Sequence, residues 1–146
     1  MINDELVQVM TLTSYEDRQA KLSIIISKYK NEDPFTTASA GAIISSFQTQ
    51  GMSRVDAINS CMSLCEEIAT IDKSQGLYLM IQLYTQTIND YVHHVWDAVE
   101  IYLFENPSPS VVNYLNYLTS ITDDLSLQKL YQNWATGITQ ELTDIG

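Results

Sequence analysis

Apolar residues recur at intervals of three and four almost from end to end of the chain, the period of one face of an α-helix. Start and stop signals divide that pattern into elements. Asn3 stands ahead of DELVQVM as the capping residue of a short helix. Thr13, with Glu16 three residues on, forms a capping box. The helix it opens carries Tyr15, Leu22, Ile25, Ile26 and Tyr29. Asp33-Pro34 offers an N-cap followed by a proline at the first helical position. It precedes TTASAGAIISSFQTQ, whose stripe is Ile43, Ile44 and Phe47, and Gly51 ends that segment. Ser53 and Asp56 open the next, with Val55, Ile58, Cys61, Met62, Cys65 and Ile68 on one side.

A connection near 72–76 leads to the longest predicted helix, about 77–104. On an ideal helix Leu77, Ile81, Tyr84, Ile88, Tyr91, Val92, Val95, Val99 and Tyr102 lie within about 60° of one direction, a core-facing stripe. Asn106-Pro107-Ser108-Pro109 stops it, because proline and the residue before it leave helical space. Ser110 starts VVNYLNYL, and Thr122-Asp123-Asp124 caps a last helix bearing Leu127, Tyr131, Trp134, Ile138 and Leu142. The apolar runs at 22–26 and 111–118 have no hairpin turn chemistry beside them. The expected architecture is all-α: a single domain over 1–146, a bundle of six or seven helices with one long central helix.

Composition fits that picture. With 146 residues, 45% of them hydrophobic, the chain can bury one core without disulfides or metal. No apolar run approaches the roughly 20 residues of a membrane span. Acids in MINDELVQVM stand where a secretory leader carries Lys or Arg, so the expectation is a soluble, cytoplasmic protein. Cys61 and Cys65 share a helix face but lack a second cysteine pair for a closed zinc site, and read as small core residues.

Charge changes the picture more. The net charge is −11, and the acids are unevenly spread. Residues 1–73 hold ten Asp or Glu against six Lys or Arg, whereas 74–146 hold eight against Lys129 alone. So little positive charge disfavours nucleic acid and anionic membrane as partners. A basic protein surface is attracted instead.

Candidate chemistry concentrates in NDYVHHVWDAVE, residues 89–100, which holds both histidines. Asp90-x-x-His93 has a spacing used in di-metal bundles, but such bundles need repeated motifs projecting inward from several helices. On the helical wheel Gln86, Asp90, His93, Asp97 and Glu100 fall opposite the apolar stripe. His93–Asp97 and His94–Asp90 read as surface pairs four residues apart. No nucleophile elbow, phosphate loop, dinucleotide fingerprint or zinc-protease motif is present. The expectation is no catalytic residue, no metal and no cofactor.

The remaining reading is an acidic ridge for protein binding, formed by Gln86, Asp90, His93, Trp96, Asp97 and Glu100, with Trp96 at its border as an anchor. The function class expected is a small acidic protein that inhibits or escorts a basic partner by covering its surface. A toxin-neutralising immunity protein or a phage anti-defence inhibitor are examples. The alternatives are a secretion chaperone, a structural homodimer through the long helix, or, less favoured, a metal-binding helical protein using histidine and carboxylate. No motif in the sequence identifies a family.

Overall fold

The protein is described by a computed structural model for residues 2–29 and 38–145. Every element among them is an α-helix, and the helices are α1 (Ile2–Val9), α2 (Tyr15–Tyr29), α3 (Ala40–Thr49), α4 (Arg54–Ile71), α5 (Lys73–Gln86), α6 (His93–Glu105), α7 (Pro109–Ile121) and α8 (Leu125–Ile145). The all-α expectation therefore stands. The count exceeds six or seven because the predicted long central helix of 77–104 is two helices, α5 and α6, parted by a turn at 87–92.

Local chemistry explains that turn. Thr87 is wholly buried, and its hydroxyl donates to the Leu83 carbonyl at 2.8 Å and to the Tyr84 carbonyl at 3.2 Å. A side chain that turns back on its own helix competes with continuation. Asn89-Asp90 follows, a pair that favours turns. Tyr91 then takes a left-handed backbone, φ 54°, a conformation costly for any residue with a Cβ. Ile88 and Tyr91, expected on the core stripe, are consequently exposed, Tyr91 at 82%. Because the Tyr91 side chain is so exposed, Tyr91→Gly should raise stability by about 0.5–1 kcal/mol through relief of the backbone. An unchanged or lower urea midpoint would contradict that account.

Contacts fall into two groups, residues 1–95 and 96–146. In the first, α4 and α5 form a tight pair, α3 packs on both, α1 packs on α2 and α3, and α2 packs on α4. Phe47, Ile58, Leu64, Leu77, Met80 and Ile81 are at most 1% exposed. Leu79 and Leu83, which interrupt the polar side of α5, are buried as well. From Gly76 to Leu83 only Gln82 is not buried, so packed chain surrounds this stretch of α5.

Asp72 closes α4 and opens α5 by itself: its N–H donates to the Ile68 carbonyl at 2.9 Å, and its carboxylate accepts from the Gln75 N–H at 3.2 Å. Gly76 lies against Ala69 so closely that an added Cβ would stand 2.5 Å from the Ala69 Cβ and 2.7 Å from its Cα.

The caps show where local signals held. Ser53 accepts from the Asp56 N–H at 3.1 Å, as the sequence suggests. Gly51 has φ 104°, and Met52 N–H reaches back to the Phe47 carbonyl at 3.2 Å, a Schellman closure. Asp124 accepts from Ser126 and Leu127. Other caps moved. Ser14 rather than Thr13 accepts from the first turn of α2. Asn3 lies within α1, and its carboxamide oxygen accepts from Ser39 N–H at 2.9 Å. Pro109 is the first residue of α7. The expected Asp33-Pro34 start lies outside the described residues.

Polar clasps join the helices of the first group. Arg18 Nε donates to Glu67 at 2.9 and 3.1 Å, while its Nη1 holds the carbonyls of Leu12 and Thr13. Gln82 on α5 accepts from Ala40 N–H at 3.0 Å and donates to the Ala38 carbonyl at 3.1 Å, which satisfies the start of α3. Glu5 accepts from Tyr29 at 2.6 Å and Lys28 at 3.0 Å, and its carboxyl is held below the usual range by the Tyr29 hydroxyl first and Lys28 second.

In the second group α7 and α8 pair closely. Tyr114 and Trp134 are buried. The Trp134 indole N–H donates to Glu100 Oε2 at 3.1 Å. Gly137 on α8 lets the Phe104 ring of α6 lie over its backbone, where a Cβ would meet Phe104 Cε1 at 2.6 Å.

Candidate functional site

The six ridge positions fall into both groups, whose boundary lies within α6. Gln86, Asp90 and His93 belong to the first group of helices, and Trp96, Asp97 and Glu100 to the second. Gln86 ends α5, Asp90 lies in the turn, and the other four lie on α6. The continuous ridge expected along one long helix is therefore not formed, since a helical face needs an unbroken 3.6-residue repeat.

Asp90 is the most changed of the six. It accepts from Arg54 Nε at 2.8 Å and Arg54 Nη2 at 3.1 Å. The same guanidinium reaches the Gln86 carbonyl at 3.4 Å and the Gln48 side chain at 3.3 Å. Asp90 is thus neutralised by a fork-shaped donor and serves to close the turn. Its bond raises the Arg54 pKa above the ordinary value, against a smaller opposing effect of burial. His94 does not pair with Asp90, because the intervening backbone is not helical; its Nε2 lies 2.8 Å from Asn59 Oδ1 on α4. His93 is exposed at the first position of α6.

Ion pairs within the first group include Arg18–Glu67, Lys28–Glu5 and Arg54–Asp90. Cys61 and Cys65 are buried and free, and burial, then the hydrogen bond of its S–H to Cys61, pushes the Cys65 thiol up, which keeps it in its unreactive form. Among the described residues no three His, Cys, Asp or Glu side chains converge on a point where a cation would sit.

The second group differs. Its seven carboxylates, at 97, 100, 105, 123, 124, 141 and 144, face Lys129 as the single cation of that stretch. Three of them frame one open surface depression on α6, lined by Asp97, Glu100, Ile101, Phe104 and Glu105. These positions follow the three-and-four spacing of one helix face. Asp97 and Glu105 are exposed, Glu100 is half-buried and anchored by Trp134, and Phe104 is half-buried over Gly137. Ile101 is 55% exposed at the centre. Trp96, expected to anchor a partner, is half-buried and does not line this depression.

Asp97 and Glu100 are the two expected residues that the structure brings together in a concave surface. Ile101, Phe104 and Glu105 complete it and were not among the expected ones. One signal for them stands in the sequence: Ile101 interrupts the polar side of the helix. No described helix is long and apolar enough to cross a membrane. Compared with protein-family models, curated proteins and solved structures, the chain matches none of them.

Proposed function

We propose that this is a protein-binding protein that inhibits or escorts a basic partner by covering part of its surface. The observation that carries the reading is the α6 depression, an apolar floor framed by three carboxylates in a stretch with one lysine. Acids around an exposed apolar residue give both parts of an interface. The acids steer a positive surface and speed encounter, an effect that salt weakens. Ile101 and Phe104 lose water on contact and slow dissociation. Inhibition follows by occlusion where the covered surface is the partner's working face, as in immunity and anti-defence proteins.

The reading moves the weight of binding from the first group to the second. Asp97→Lys with Glu105→Lys should weaken partner binding tenfold or more while leaving the circular dichroism spectrum and urea midpoint unchanged, since both side chains are exposed. Capture of one basic protein at near one-to-one ratio by the native chain, and its loss with the double variant, is the expected result of side-by-side affinity purification. Equal capture by both proteins would remove the depression from the account.

A further inference from the structure

We propose that the segment received by the α6 depression is a basic amphipathic helix of the partner, laid along Ile101 and Phe104 with its Lys or Arg residues against Asp97, Glu100 and Glu105. The inference rests on the protein-binding reading above and adds the form of what is bound. Its first ground is shape. The lining residues come from one face of one helix over roughly two turns, so the concavity runs along the helix for about 12 Å. A helix surface offers no unpaired backbone edge for an added strand, whereas it does offer a seam for a second helix. A partner helix sets apolar residues toward such a seam every three or four positions.

The second ground is charge complementarity. An apolar floor edged by carboxylates selects a helix whose apolar stripe is bordered by cations, and it disfavours a neutral or acidic one. Lys and Arg suit this because their stems cover apolar surface while their heads reach the acids. The third ground is order. Trp134 holds Glu100 at 3.1 Å, and Gly137 lets the Phe104 ring approach the α8 backbone closely. A floor and one edge already held in place lose little freedom on binding.

The test uses the full chain and two synthetic peptides of identical leucine and lysine content. One has its leucines at helical spacing, and the other has them scrambled. Titration is followed by calorimetry and by tryptophan emission, since Trp134 touches the site through Glu100. The helical peptide should bind at least tenfold more tightly than the scrambled one. Ile101→Ser, a change at an exposed position, should abolish that difference and leave a weaker, salt-sensitive affinity for both. Equal binding of the two peptides by the native chain would overturn the helix inference while leaving a basic partner in place. Failure of both peptides to bind at low salt would overturn both readings.

Discussion

Replacing Gly76 by alanine should destabilise the protein by about 2–3 kcal/mol, although the exchange favours an isolated helix by about 1 kcal/mol. The two effects have opposite signs, so the direction alone is informative. The new methyl group would stand 2.5 Å from the Ala69 Cβ, 2.7 Å from the Ala69 Cα and 2.8 Å from its nitrogen. Two of these three atoms are backbone, so no side-chain rotation relieves the contact, and α4 and α5 must separate. Larger residues such as leucine should remove most of the stability of a domain of this size, which is about 5–15 kcal/mol. Gly137→Ala is the internal comparison: its nearest neighbour is the end of the Phe104 ring, which can rotate away, and the loss there should stay near or below about 1 kcal/mol. Urea titration of both variants decides the matter. A Gly76→Ala protein as stable as the native one would mean that α4 and α5 do not approach as described.

Gln82→Leu should cost about 2–3 kcal/mol, the second large effect. Its carboxamide accepts from Ala40 N–H and donates to the Ala38 carbonyl, so one side chain on α5 satisfies both a donor and an acceptor at the start of α3. Leucine of similar size removes both bonds, each worth about 1 kcal/mol with a further penalty where the backbone group stays buried. Gln82→Glu separates the two contributions. It keeps the acceptor for Ala40, where a negative charge at a helix N-terminus is favourable, and loses the donor to Ala38. Its stability should therefore lie between those of the native and leucine proteins. A leucine variant with native stability would show that water replaces the carboxamide without loss.

These two residues also mark the limit of what the sequence revealed. Signals that act within four residues read well: Ser53 as a cap, Gly51 as a stop, the prolines after Glu105, and the paired acids before α8 all stand where expected. Signals whose partner is distant did not. Asn3 looks like a local cap until Ser39 arrives from another element, and Gln82 looks like one more polar residue of a solvated face. Periodicity also misled at 87–92. Ile88, Tyr91 and Val92 continue the apolar stripe on paper, while Thr87, Asn89 and Asp90 carry a turn signal that lacks the glycine or proline that usually announces one. Arg54, far along the chain, supplies the bond that fixes the turn. The turn interrupts the expected continuous helical face for that reason, while His93, Trp96, Asp97 and Glu100 share the helix α6.

The single-residue link at Asp72 has a consequence for how the sequence can change over time. Because one residue ends α4 and begins α5, the link contains no slack through which the two helices could move apart. Any side chain at position 76 is therefore costly, and a change at Ala69 does not remove that cost, since the obstructing atoms include that residue's backbone. A longer link would lower that cost by letting α4 and α5 move apart, so the tolerance of position 76 is coupled to the length of the connection.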